Sequence, residues 1–186
     1  MMDKIFPNGP TLVLVITNDS QVFLSDGICS AFELYGGRCQ EIKNLVRDLD
    51  LGKTKDGKPL CAVSFGIVTS RYGFVPADYV VMKYPPETVM STPEDYERVQ
   101  KEKGYLGMMH KTTSTFDRII VCVPRHMMEM ILDADVLPRG RVIAVTSPAL
   151  KERVEANDWM FLERRGARLG NENRDRVMAE IERLAS

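Results

Sequence analysis

Four short polar stretches each follow an apolar run, and together they hold most of the side chains suited to binding or transforming a ligand: Thr17-Asn18-Asp19-Ser20, Thr69-Ser70-Arg71-Tyr72, Pro124-Arg125-His126 and Thr146-Ser147. They supply hydroxyls, amides and cations. Arg71 carries a planar guanidinium that matches carboxylate or phosphate, and Gly73 just beyond it permits a backbone conformation close to a ligand. Arg71 is equally suited to pairing with Asp78, and Tyr72 to plugging the core. His126 has the pKa range for acid–base work at neutral pH, although a first-turn histidine on the Met127-Met128-Met130 helix is also an ordinary surface group. Ser147-Pro148 opens a helix, where free amides favour an anion and where plain capping explains the same residues. The candidate ligand-binding residues are therefore Thr17, Asn18, Asp19, Ser70, Arg71, Tyr72, Arg125, His126 and Ser147.

The chain that positions them has 186 residues, 44% of them hydrophobic, which suits one α/β domain over residues 1–186. Thr11 to Ile16 is β-branched and apolar and reads as a first buried strand. The run 60–68 reads as a central strand covered on both faces, with Gly73 and Pro76 imposing an irregular turn after it. Strand patterns at 118–123 and 141–145 and an edge strand at 159–162 follow. Helical patterns fall in the second half of 21–35 and at 42–50, 93–103, 124–133, 148–156 and 171–185. Strands alternating with helices in this way predict a three-layer sandwich, with a mostly parallel central sheet and helices on both faces. In that architecture ligands collect at the carboxyl ends of the strands, where all four polar stretches fall. The helix 93–103 has a thin apolar face, Tyr96 and Val99, and the region 83–117 is expected to serve as a flap.

Charge and composition exclude several classes. With 25 basic and 26 acidic residues, no overall positive field draws the molecule to nucleic acid or anionic lipid. A local basic run, Arg164, Arg165 and Arg168, suits phosphate contacts, but Glu163, Glu172 and Asp175 interleave it as on a solvated face. No apolar run approaches the roughly 18 residues of a membrane span, and Met1-Met2-Asp3-Lys4 lacks a signal peptide's apolar core, which points to the cytoplasm and to no membrane partner. The four cysteines are scattered, and with only two histidines no zinc spacing is recognisable, so neither a metal nor a cofactor is expected. No Gly-rich phosphate loop, Gly-x-Ser-x-Gly elbow or paired-carboxylate motif occurs. The Met-rich helix and the Trp159 segment are the expected surfaces of a homodimer.

The sequence Ser70-Arg71-Tyr72-Gly73-Phe74-Val75-x-x-Asp78, followed by Tyr84-Pro85 and preceded by Ala31-x-x-Leu34-Tyr35, resembles small α/β proteins related to the YaaA-like superfamily over roughly residues 11–90. Where that group carries a Ser-Cys or Thr-Cys pair at the end of its first strand, this chain has Thr17-Asn18-Asp19-Ser20. The resemblance implies a three-layer α/β fold and a link to nucleotides or nucleic acid. Two readings follow: a protein that binds a nucleotide, nucleoside or other phosphorylated small molecule, including a glycosyl- or phosphoryl-group enzyme, or a non-catalytic nucleic-acid- or protein-binding module.

Overall fold

The computed structural model describes every residue except Ala167. The first apolar run forms β1 (Leu12–Asn18), and after it come β2 (Cys29–Ser30), α1 (Ala31–Leu34), α2 (Cys39–Leu51), β3 (Ala62–Thr69), β4 (Gly73–Pro76) and β5 (Val80–Val81). The second half carries α3 (Pro93–Lys103), α4 (Tyr105–Thr112), β6 (Arg118–Cys122), α5 (Arg125–Ala134), β7 (Val142–Thr146), α6 (Lys151–Ala156), β8 (Met160–Glu163) and α7 (Asn171–Ala185). Six strands form the main sheet in the order β4-β3-β1-β6-β7-β8. All neighbours are parallel except the β3–β4 pair. The protein is thus a three-layer α/β fold of Rossmann-like type.

The two sides of each strand feed two cores. Val13 and Val15 of β1 face the layer that contains α2 and α7, through Ile42, Leu45, Val177 and Ile181. Leu14 and Ile16 face the opposite layer, where Tyr96 and Val99 of α3, Met109 of α4 and Met127, Met128 and Ile131 of α5 lie. Because both faces of β1 are covered, its sequence is continuously apolar rather than alternating.

Helix α3 spans the expected residues because both its ends are specified. Thr92 and Asp95 form a reciprocal capping box, Pro93 occupies the first turn, and Gly104 closes the helix at φ 63°. Only Tyr96 and Val99 of this helix are buried.

Three local expectations change. The segment after the 60–68 run is not an irregular turn: Gly73–Pro76 folds back antiparallel along β3. Pro76 is tolerated because β4 is an edge strand, and the Phe74 ring lies so close to Gly66 that a Cβ there would meet it at 2.5 Å. In 21–35 the helix shrinks to Ala31–Leu34, as Leu24 and Gly36 donate instead to the carbonyls of Leu34 and Val22. In the Met-rich helix and the Trp159 segment, expected to be exposed, Met127 and Met128 are fully buried and Trp159 nearly so, while Met130 is partly buried.

Candidate functional site

From β1 the chain crosses to β3 on one side and later returns to β6 on the other, so the strand order reverses between β1 and β6. Such a reversal leaves a crevice outside the carboxyl ends of the two strands. The register defines what reaches it. Thr17, Cys122 and Val145 share one row across β1, β6 and β7. One residue further on is the row of Asn18, Val123 and Thr146, and beyond it come Asp19, Pro124 and Ser147.

A crevice of about 360 Å³ opens there, lined by Arg38, Tyr96, Pro124, Arg125, Ser147, Pro148, Arg164 and Gly166. Three of these side chains are guanidinium groups and none is a carboxylate. Beneath it lies a pit of about 10 Å³, also bounded by Arg38 and Arg164 and reaching Thr17 and Cys122. The pit has room for roughly one water.

Each cation is delivered by the fold. Arg38 stands at the start of α2 after Gly36 and Gly37, where close packing against Leu24 and Val22 and a φ of 58° at Gly37 favour glycine. Its guanidinium donates to the main-chain oxygen of Asp19. Arg164 follows β8, and its amide donates to the Thr146 carbonyl at 2.9 Å. Burial lowers the pKa of its guanidinium; the nearby Cys122 opposes that shift, while the positive charge of Arg38 adds to it. Arg125, exposed at the start of α5, pairs with Glu129 at 3.0 Å. Like charges drawn into one concavity favour an anion between them.

The rim ties α3 to α5. His126 lies over the Tyr96 ring with centroids 6.3 Å apart, and its ring nitrogens are 3.2 Å from Glu97 and 3.5 Å from Glu129. Ser147 caps the 3₁₀ turn Pro148–Leu150 by accepting from the Ala149 amide.

Beside the crevice, Asp19 anchors a buried polar network. Its Oδ2 accepts from the Ser70 amide at 2.7 Å, the Ser70 hydroxyl at 2.8 Å and the Tyr84 hydroxyl. Tyr84 also shares a 2.9 Å hydrogen bond with Tyr35, and Ser70 Oγ accepts from the Met90 amide. Burial raises the Asp19 pKa, against the lowering by Tyr84, Ser70 and Arg38. Both tyrosine hydroxyls are pushed above their usual range, chiefly by burial.

The predicted site residues separate accordingly. Thr17 and Asn18 end β1 and Asp19 follows them, Arg125 and Ser147 line the crevice, and His126 backs its rim. Ser70 joins only through Asp19. Tyr72 spends its hydroxyl on the Met82 backbone, and exposed Arg71 lies over the Tyr72 ring at 5.9 Å, away from the crevice lining. Arg165 and Arg168 are exposed, the latter 4.0 Å from Glu41.

Sequence reasoning missed Arg38 and Tyr96 and did not assign Arg164 to the crevice. The strand-end rule that selected Ser147 applies equally to Arg164 after β8, and a Gly-Gly-Arg start to the first long helix after β1 marks Arg38.

Among the described residues no group of three His, Cys, Asp or Glu is arranged for a metal, and no helix is long and apolar enough to cross a membrane. Burial pushes the Cys39 thiol up to about 11 and that of Cys122 up to about 12, which makes both poor nucleophiles. No family model, curated protein or solved structure matches the chain.

Proposed function

We propose that this chain binds a phosphorylated small molecule of nucleotide or nucleoside type in the crevice at the ends of β1, β6 and β7. The observation that carries the reading is the set of three guanidiniums, Arg38, Arg125 and Arg164, lining one concave site that no carboxylate lines. A phosphate there accepts charge-assisted hydrogen bonds from two or three planar donors and relieves the repulsion between Arg38 and Arg164. Glycosyl- or phosphoryl-group chemistry on such a ligand would draw on Asp19, the buried carboxyl just after β1.

A nucleic-acid module using Arg165 and Arg168 is the second reading. Its groove, about 620 Å³ between α6 and α7, mixes Lys151, Arg165, Arg168 and Arg176 with Glu155, Glu163 and Glu172, which weakens any attraction for a polyanion. The crevice is the better anion site.

A thermal-shift screen against inorganic phosphate, ribose 5-phosphate and the four ribonucleoside monophosphates tests the proposal, because a ligand that binds only the native state raises its stability. A rise in Tm that grows with ligand concentration is expected. No shift with any of them at millimolar concentration, alongside salt-sensitive binding to short RNA or DNA, would favour the second reading.

A further inference from the structure

The described buried side-chain atoms that lack a hydrogen-bond partner are concentrated at one place. They are Asn18 Nδ2, Asn18 Oδ1, Asp19 Oδ1 and Thr146 Oγ1, all at the carboxyl ends of β1 and β7. A buried polar atom with no partner is costly, and here three side chains share that condition beside the crevice. Asn18 and Thr146 stand in the same row, on either side of Val123, one residue below the Pro124 and Ser147 that line the crevice. A strand rises about 3.3 Å per residue, so this row is the next layer beneath the floor.

These atoms specify more than a phosphate. The Asn18 carboxamide offers an acceptor and donors in one plane, the complement of a heteroaromatic edge that presents a donor beside an acceptor, as adenine does with N6 and N7. Thr146 Oγ1 adds a hydroxyl that both donates and accepts. In the crevice lining, Tyr96, whose other partner is His126, is an aromatic group of the kind on which bases stack, and Pro124 and Pro148 add apolar surface. A sugar phosphate would leave the carboxamide unmatched.

We propose that the ligand carries a nucleobase and that Asn18 reads its hydrogen-bonding edge beneath the Tyr96 rim. The inference rests on the crevice being the ligand site and adds the residue that recognises the base. Asn18 is 1% exposed, so the base enters by displacing the rim. Tyr96 and Val99 are the buried residues of α3, so few apolar contacts oppose such a movement.

The test is calorimetric titration of the full chain, Asn18→Ala and Asn18→Leu with the four ribonucleoside monophosphates, their nucleosides, ribose 5-phosphate and inorganic phosphate. At least one monophosphate is expected to bind tenfold or more tightly than ribose 5-phosphate. Both Asn18 variants should erase that preference while leaving ribose 5-phosphate binding within twofold. Asn18→Leu keeps the number and branching of the side-chain heavy atoms and leaves no cavity, so it carries the test if the alanine variant folds poorly. Monophosphates that bind no better than ribose 5-phosphate, or a preference that survives in a folded Asn18 variant, would overturn the inference while leaving the phosphate reading intact. A nucleoside that binds through Asn18 when phosphate and ribose 5-phosphate do not would support the inference and overturn the arginine reading. No binding by any of these compounds would overturn both.

Discussion

The two ends of the central sheet treat buried polarity in opposite ways. At the amino-terminal edge Arg118 is fully buried, and its guanidinium donates to Glu180 at 3.1 Å and to the Asp117 carbonyl at 2.7 Å. Both oxygens of the Asp117 carboxylate accept backbone amides, from Ile5 and Leu12, at 2.7 Å each. Arg183 closes the cluster on Glu180 at 2.6 Å. At the carboxyl edge, Asn18, Thr146 and one oxygen of Asp19 have no such partners, and three guanidiniums gather around one crevice. The sheet completes its polar contacts at the first end and leaves these four side-chain atoms unpartnered at the second, the contrast on which the proposed division between a stabilising and a binding end rests.

The largest effect belongs to the amino-terminal edge. Glu180→Ala strands Arg118 inside the protein and should cost about 3–5 kcal/mol, read by urea unfolding, with ligand affinity of the folded fraction unchanged. A loss below about 1 kcal/mol would remove the contrast between the edges.

The two edges should also respond to pH with opposite sign. Burial would raise Glu180, but hydrogen bonds from Arg183 and Arg118 outweigh it and hold the carboxyl below its usual 4.5. Its contribution to stability is therefore present above the unfolded pKa and fades as pH falls through the folded one. Asp19 is raised above 3.8 by burial, so the folded state favours its protonated form, and its contribution is full below 3.8 and lost as pH rises through the folded pKa. The stability of the natural chain relative to Asp19→Asn should decline as pH rises above 3.8 through the raised folded pKa, whereas relative to Glu180→Gln it should fall as pH drops below 4.5. Parallel pH curves for the two variants would contradict the opposite assignments.

A smaller effect sharpens the same contrast. Replacing the unmatched carboxamide in Asn18→Leu removes an unpaired buried amide, and should leave the protein unchanged or more stable by up to about 2 kcal/mol. That is a Tm higher by a few degrees for a chain of this size. Destabilisation by more than about 1 kcal/mol would show that Asn18 is structural.

How much of this was legible depended on whether the cause is local. The strands and the three-layer arrangement follow from runs such as Thr11 to Ile16, whose β-branched continuity has one good solution, a strand buried on both faces. Helix α3 was legible to the residue because Thr92, Pro93 and Gly104 act within one turn of its ends. Strand β4 was not, since Gly73 and Pro76 read locally as turn residues and only the edge position makes them acceptable in a strand. The strand-end rule points to the ends of β1, β6 and β7, but among the arginines it passes over Arg38, which follows no strand pattern, and draws attention to Arg71, which sits beside a strong local pattern. Its hairpin carries it away from the crevice, while Gly36 and Gly37 bring Arg38 into it. That Asn18 lacks a partner is a property of the packed neighbourhood and has no signature in sequence.

The guanidinium cluster is tested most directly by titrating ribose 5-phosphate into the natural chain, the double variant Arg125→Ala/Arg164→Ala, and Arg71→Ala, with thermal unfolding of each as the folding control. Two lost charge-assisted contacts at about 1.5–3 kcal/mol each should weaken binding at least a hundredfold in the double variant, while Arg71→Ala stays within twofold. Equal affinity in the folded double variant, or a loss in Arg71→Ala instead, would place the anion elsewhere and contradict the crevice.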